Sequence, residues 1–146
     1  MIRAAVQREP IDVAAELATL EPAGAVATFT GAVRADDGVT ALELEHYPGA
    51  TEAALRSLCE EAVARWSLDA ANVVHRVGPM APGERIVFVG TAAAHRQAAL
   101  EACAFLINRL KTEAPFWKRE VRGDDARWVE ARTSDDDAAA RWRSES

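Results

Sequence analysis

The sequence predicts an α+β fold in which a mainly antiparallel sheet packs against helices. Two stretches, Ala54–Trp66 and Ala99–Leu110, place apolar residues at the 3.6-residue spacing of an amphipathic helix. Short apolar or alternating segments lie before, between and after these stretches. Turn signals join two pairs of the segments, a pattern that is typical of β-hairpins and therefore of antiparallel pairing.

The first half of the chain is predicted to be mainly strand. Ile2–Val6 is a short strand, and Asp12 can cap a brief helix that stops before Pro22. Gly24–Val33 is an apolar run of small and β-branched residues, and Val39–Tyr47 alternates apolar with polar residues. The turn signal Ala-Asp-Asp-Gly lies between these two segments, so we expect them to form a hairpin.

The middle of the chain contains the two long helices. Thr51 follows a Pro-Gly pair and can cap the first of them. Strands are expected at Asn72–Val77 and Arg85–Thr91, on either side of a turn-rich Gly-Pro-Met-Ala-Pro-Gly segment. The second helix should span about His95–Lys111, and Pro115 should prevent its continuation.

The last elements are a second hairpin and a short tail helix. Phe116–Val121 and Arg127–Ala131 flank a Gly-Asp-Asp turn, and the tail from Ser134 is acidic and then basic. Cys59 and Cys103 fall within the apolar faces of the two long helices and have no metal-ligand spacing, so we interpret both as buried thiols.

Properties of the whole chain exclude several classes of protein. The 146 residues fit one domain, residues 1–146, with no repeat, linker or internal boundary. The net charge of −6 argues against a general binder of nucleic acid or anionic membrane, so any anion must meet a local basic pocket. No apolar run approaches the roughly 20 residues of a membrane span, and Met1–Val6 has no secretory signal pattern, so a cytoplasmic location is expected.

Lysine usage is the most informative feature of the composition. Of 17 basic residues only Lys111 and Lys118 are lysine, and they are seven positions apart. A desolvated amine can lose its proton near neutral pH and act as acid, base or nucleophile, whereas a guanidinium cannot. Lys111 should emerge at the edge of a buried helix face, and Lys118 should share a strand face with Phe116 and Glu120. A catalytic pair is predicted, against the alternative of two solvated lysines.

Three further residues are candidates for an anion site. His95 and Arg96 open a helix directly after a strand, where free backbone N–H groups and the helix dipole favour an anion. Arg34 ends a strand at the mouth of the expected hairpin, which suits a phosphate clamp; a capping or solvated role stays open for all three. His46 is predicted to be a satisfied, partly buried histidine. The sequence has no Gly-rich phosphate loop, nucleophile elbow or Cys/His metal set, which leaves a metal-free enzyme or a binding module.

Six segments of this chain together match one known family: Leu44–Gly49, His75–Gly78, Ala94–Arg96, Leu110–Lys111, Ala114–Glu120 and Trp128–Arg132. The match extends from about Gly24 to Arg132 of the chain and keeps that family's order. In these segments the chain resembles the large, catalytic subunits of molybdopterin synthase, or MoaE family.

The resemblance implies a fold, an assembly and a reaction. The fold is of the α/β hammerhead type, and a homodimer forms the centre of a heterotetramer. Each end binds a small ubiquitin-like sulfur carrier, whose C-terminal Gly-Gly thiocarboxylate enters the active site. The enzyme is a sulfurtransferase that uses no cofactor: it converts cyclic pyranopterin monophosphate into molybdopterin by placing two sulfurs as a dithiolene and opening the cyclic phosphate.

The resemblance also implies roles for individual residues. Arg34, His95 and Arg96 match the family's anion-binding positions. Lys111 is placed beside the carrier's C-terminus, and Lys118 among the catalytic groups. These roles are expectations for this chain.

Arg132 is the residue that the resemblance favours as a contributor from the second subunit. The chain departs from the family in its short Ala35–Gly38 turn, where relatives often have a longer loop, and at Ala50, where methionine is common. Two alternatives remain open: a lysine-dependent lyase that forms a Schiff base, and a non-catalytic adaptor that binds a ubiquitin-like protein.

Overall fold

The computed structural model describes residues 1–35 and 38–122, together with the backbone of 125–129. These residues form eight strands and three helices. In chain order they are β1 (Ile2–Gln7), α1 (Val13–Ala18), β2 (Ala25–Ala32), β3 (Ala41–His46), α2 (Ala50–Trp66), β4 (Ala70–Arg76), β5 (Gly78–Met80), β6 (Arg85–Ala93), α3 (Arg96–Glu113), β7 (Phe116–Arg122) and β8 (Asp125–Val129).

The strands form two four-stranded sheets. The first sheet has the order β1-β4-β6-β2, and the second has the order β5-β3-β7-β8. Only the β1–β4 pair is parallel among the described strands, and all the other pairs are antiparallel. The predicted α+β class with mainly antiparallel pairing is therefore confirmed.

The main core lies between the first sheet and the helices α2 and α3. Its fully buried side chains include Leu55 of α2, Phe105 and Leu106 of α3, and Val73 of β4. Burying a side chain of this size contributes about 1.5–3 kcal/mol, so the contact fixes both helices against the sheet. Phe116 packs against this core and also against the core of the second sheet, which joins the two sheets.

The predicted hairpin between Gly24–Val33 and Val39–Tyr47 is wrong. Both segments are strands, but β2 pairs with β6, while β3 lies between β5 and β7 in the other sheet. Both edges of β3 are therefore occupied, and no backbone groups remain for β2. After β2 the Val33 N–H donates to the Glu84 carbonyl, next to β6 of the first sheet. Before β3 the Thr40 N–H donates to the Val121 carbonyl in β7 of the second sheet, so the chain passes from one sheet to the other between these residues.

The start of α2 also differs from the prediction, in which Thr51 was the cap. Gly49 is the cap, with φ of 86°, and its N–H donates to Oε1 of Glu52 at 3.0 Å. Thr51 is instead fully buried in the first turn. The short strand β5 was not predicted, because its Gly-Pro sequence is typical of a turn.

The remaining elements follow the prediction closely. Asp12 caps α1 by accepting the Ala15 N–H at 3.1 Å. The strands β7 and β8 pair as the second predicted hairpin, although β8 begins two residues earlier than expected. Ala131 and the tail from Ser134 lie outside the described residues. Within the described ranges, no helix is long and apolar enough to cross a membrane.

Candidate active site

A cavity of about 170 Å³ opens where the two sheets meet the C-terminal end of α3. Its charged lining comes from three separate parts of the chain. Arg34 follows β2, Lys111 belongs to α3, and Lys118, Glu120 and Arg122 belong to β7. The structure thus brings together Arg34, Lys111 and Lys118, three of the residues that the sequence singled out.

The other described lining residues of this pocket are apolar. Val33 and Val39 flank the crossing between the sheets, Leu42 belongs to β3, and Ile86 belongs to β6. Because these side chains exclude water, a charge bound among them is screened less than at an open surface. The pocket therefore combines concentrated positive charge with a partly apolar surround.

Lys111 reaches the pocket because α3 ends there. Leu110 is buried in the core, while the next residue, Lys111, is exposed. Ala114 adopts an extended conformation with ψ of 126°, as expected for a residue before proline, so the helix stops at this point. A lysine in the last helical turn also interacts favourably with the helix dipole.

The other lysine lies on a strand face that carries alternating charges. Lys118, Glu120 and Arg122 project to the same side of β7 because side chains alternate along a strand. The Lys118 amine lies 3.6 Å from Oε1 of Glu120, and the Arg122 guanidinium lies 2.7 Å from Oε2. Glu120 is 9% exposed, so this face holds a buried carboxylate between two cations.

A buried threonine holds the segment between the two lysines. The Thr51 hydroxyl donates to the Pro115 carbonyl at 2.7 Å and accepts the Tyr47 N–H at 3.0 Å. Pro115 lies between Lys111 and Lys118 in the chain. The first turn of α2 therefore fixes the link that sets the relative positions of the lysines.

A buried histidine packs against the start of the lysine-bearing strand. The ring of His75 in β4 stacks on Phe116, with centroids 4.0 Å apart and 26° between the planes. Burial lowers the pKa of His75 to about 4, and the charge of Lys111 adds to this, against the opposing effect of a hydrogen bond to the Arg76 carbonyl. His75 is therefore neutral at neutral pH and donates from Nδ1 to that carbonyl at 2.9 Å.

His95 and Arg96 do not reach this pocket within one chain. His95 caps α3 and Arg96 is its first residue, whereas Lys111 lies in its last turn. From position 96 to position 111 the helix advances 15 residues, which is about 22 Å at about 1.5 Å per residue. Both side chains are exposed at the far end of the helix. The remaining candidate, Arg132, lies outside the described residues.

Two features of the site were not recognised from the sequence. Glu120 was placed on the face of Lys118 but given no role, and Arg122 was not considered. The pattern that could have identified both residues is a charged side chain at every second position, which places the charges on one face of a strand. His46 also differs from expectation, because its buried Nδ1 has no hydrogen-bond partner among the described residues, although Nε2 lies 3.5 Å from Glu52.

The arrangement suits anion chemistry that needs no thiol nucleophile. Both cysteines are buried and free, and desolvation raises the pKa of Cys59 to about 12 and that of Cys103 to about 11. Among the described residues, no group of three or more His, Cys, Asp or Glu side chains could hold a metal ion. The pocket instead offers amines and guanidinium groups, which bind oxyanions and can exchange protons only through the amines.

Comparison with known proteins gives consistent matches along the chain. The family model described as MoaE protein matches residues 6–113. The molybdopterin synthase catalytic subunit of Vibrio cholerae is 49% identical over an alignment of 146 positions, and the alignment covers 96% of this chain and 97% of that protein.

Two solved structures also match most of the chain. The MoaE protein from Burkholderia ambifaria has a TM-score of 0.85 and 48% identity, covering 98% of this chain and 99% of that one. Molybdopterin synthase from Staphylococcus aureus has a TM-score of 0.81 and 30% identity, covering 86% and 95% of the two chains. These matches confirm the hammerhead-type α+β fold.

Proposed function

The chain belongs to the MoaE family of molybdopterin synthase catalytic subunits, and from this premise we propose that its lysine-lined pocket is the site of sulfur transfer. The sulfur donor is the thiocarboxylated C-terminus of a small ubiquitin-like carrier, and the acceptor is cyclic pyranopterin monophosphate. The product is the dithiolene of molybdopterin. One observation carries the proposal: both lysines of the chain line the same pocket, together with Arg34.

The charge of the pocket suits this substrate. The protein has a net charge of −6, yet among the described residues Arg34, Lys111, Lys118 and Arg122 face one cavity with a single carboxylate, Glu120. Such a cluster, beside apolar lining residues, concentrates positive potential where a phosphate has to bind. An acidic protein can therefore bind an anionic pterin at this point.

The two lysines have the chemistry that the reaction needs. Negative charge develops on oxygen atoms when the cyclic phosphate opens. It also develops when water attacks the carrier's carbonyl carbon after the sulfur has bonded to the pterin, so that the bond from this carbon to sulfur breaks and the carrier leaves as a carboxylate. An ammonium stabilises such an oxygen and can donate a proton to it, which a guanidinium does poorly. We assign Lys118 to proton transfer at the pterin and Lys111 to the carrier's C-terminus, and neither role requires a Schiff base.

The remaining candidate residues fit a site that is shared between two subunits. His95 and Arg96 lie about 22 Å along α3 from Lys111, so they can join this pocket only from a second copy. We therefore propose a homodimer whose subunits exchange these residues, with a carrier at each end to give a heterotetramer. Arg132 stays a candidate for the same exchange.

We also propose that residues 1–146 act as one domain in the cytoplasm. Phe116, Val6 and Ile86 each pack against the cores of both sheets, which favours a single folding unit. The free thiols of Cys59 and Cys103 suit a reducing compartment. Cell fractionation with an antibody against the chain would test the location.

Reconstitution tests the proposed function. Purified protein, thiocarboxylated carrier and cyclic pyranopterin monophosphate should together form the dithiolene, whereas a carrier with an ordinary carboxylate should form none. Carrier binding without any turnover would support the adaptor alternative. Borohydride trapping of substrate on Lys111 or Lys118 would support the lyase alternative.

A further inference from the structure

The pocket contains a carboxylate that works against anion binding. Glu120 shares its strand face with Lys118 and is 9% exposed. A buried carboxylate repels an anionic substrate strongly because little water screens the interaction. If phosphate binds here, a neighbouring cation has to neutralise Glu120.

Two cations compete for this carboxylate among the side chains that the structure describes. The Arg122 guanidinium lies 2.7 Å from one oxygen, within the range of a charge-assisted hydrogen bond, whereas the Lys118 amine lies 3.6 Å from the other oxygen and outside that range. Both side chains are 36% exposed. The two contacts therefore differ in distance and not in the exposure of the cation. Because the Arg122 contact is shorter, Glu120 is held mainly by Arg122.

We propose that Arg122 is a positioning residue: it binds the Glu120 carboxylate and thereby leaves the Lys118 ammonium free to contact the anionic substrate. The inference rests on the proposed function of the pocket. Without Arg122, the described partner left to Glu120 is Lys118, and a closer contact between them would take from the substrate both an amine and a positive charge.

The surroundings provide a matched control for this pair. In the register, Leu42 of β3 and Arg127 of β8 lie opposite Glu120, while Leu44 of β3 and Val129 of β8 lie opposite Lys118. Arg119 lies between Lys118 and Glu120 in sequence but on the other face of β7, where it is 3.6 Å from Glu43. Exchanging Arg119 for glutamine therefore removes the same charge from the same strand without touching the carboxylate in the pocket.

A double-mutant cycle tests whether Arg122 acts through Glu120. Arg122→Gln should lower kcat/KM for cyclic pyranopterin monophosphate by about tenfold or more, and Arg119→Gln by less than about twofold. In a Glu120→Gln background the same Arg122→Gln change should cost less than about threefold, because no carboxylate remains to capture Lys118.

The lysine signals give a second reading that needs no turnover. Protein labelled with ¹³C at lysine Cε has two lysine signals, and Lys111→Arg assigns them. Arg122→Gln should move the Lys118 signal, and the same change should move it less than half as far in the Glu120→Gln background. Arg119→Gln should leave it in place.

Each result bears on the proposal. Equal effects of Arg122→Gln with and without Glu120, on kinetics or on the lysine signal, would overturn it and make Arg122 a direct ligand or a structural residue. An unchanged Lys118 signal in Arg122→Gln would also overturn it. If wild-type protein forms no dithiolene, the proposed function fails. If Glu120→Gln abolishes turnover, the lysine signals replace the kinetic double-mutant cycle. In both cases the lysine signals still decide whether Arg122 holds Glu120.

Discussion

Among the described residues of the pocket, Arg34 is the one cation that is neither lysine nor part of the charged strand face, so it is the best single probe of the anion site. Losing a charged contact to phosphate costs about 1.5–3 kcal/mol, or roughly ten- to a hundredfold in affinity. Arg34→Ala should weaken binding of cyclic pyranopterin monophosphate by that amount, measured by calorimetry, and leave carrier binding nearly unchanged. Arg119→Ala, on the other face of β7, is the control. Normal substrate affinity in Arg34→Ala would show that the anion site lies elsewhere.

His75 should make stability depend on pH in the acid range. Its pKa is about 4 in the folded protein and about 6.5 when unfolded, so the unfolded chain binds an extra proton between these values. The part of the free energy of unfolding that depends on neutral His75 is therefore fully present above about pH 6.5 and is lost as the pH falls towards 4. The free-energy difference between wild type and His75→Gln in urea unfolding should shrink by roughly 3 kcal/mol over this window. A constant difference would mean that the histidine is not buried as described.

For single residues, the sequence identified the site through a residue type that is rare in this chain. The two lysines stood out against fifteen arginines, and both line the pocket. Glu120 and Arg122 did not stand out, because acidic residues and arginines are common in this chain. Glu120 matters because it is buried beside Lys118, and Arg122 matters because it contacts Glu120. The burial of a charged side chain is set by tertiary contacts that the local pattern does not contain.

Among the elements, the link between α3 and β7 is fixed by the first turn of α2. Thr51→Val keeps the shape of the side chain but removes the hydroxyl that contacts Pro115 and Tyr47. Two backbone groups then lose a partner, so the free energy of unfolding should fall by about 1–3 kcal/mol. Thr40→Val removes an exposed hydroxyl and should change it by less than about 0.5 kcal/mol. Equal effects in chemical denaturation would contradict a bracing role for Thr51.

The sequence predicted elements better than it predicted their partners. The helix spacing and Pro115 located α3, and the β-branched run located β2. The wrong pairing of β2 with β3 arose because turn residues indicate a change of direction without specifying which strand comes next. That choice depends on β6 and β7, which lie far along the chain. The mistaken cap at Thr51 has a similar cause, since its hydroxyl bonds to Pro115, 64 residues away.

At the scale of the whole molecule, the active site should depend on two subunits. Lys118→Arg and Arg96→Ala should each be inactive alone, yet a mixture of the two should recover up to about a quarter of wild-type activity. Half of the dimers in a random mixture contain both variants, and each of these has one intact site. Arg132→Ala can replace Arg96→Ala to test the same role for Arg132. No recovery despite proven subunit exchange would mean that each site is built within one chain.

Assembly is the level at which the residues alone predicted least. The separation of His95 and Arg96 from Lys111 follows from the length of α3, which the sequence did predict. That these two residues lie away from the site could be inferred only once the pocket was located at the other end of the helix. The family resemblance, and not the composition, supplied the carrier and the substrate.

In the proposed reaction the pocket works through a lysine amine, and the Lys118→Arg variant separates the amine from its charge. It keeps the positive charge and replaces an amine, which can exchange a proton, with a guanidinium, which cannot, a change worth about 10²–10⁴ in rate for general acid–base catalysis. In the reconstituted reaction, dithiolene formation should fall by about a hundredfold or more, with the fold and carrier binding retained and with Arg119→Lys as the control. Dithiolene formation at a near-normal rate in Lys118→Arg would contradict the account.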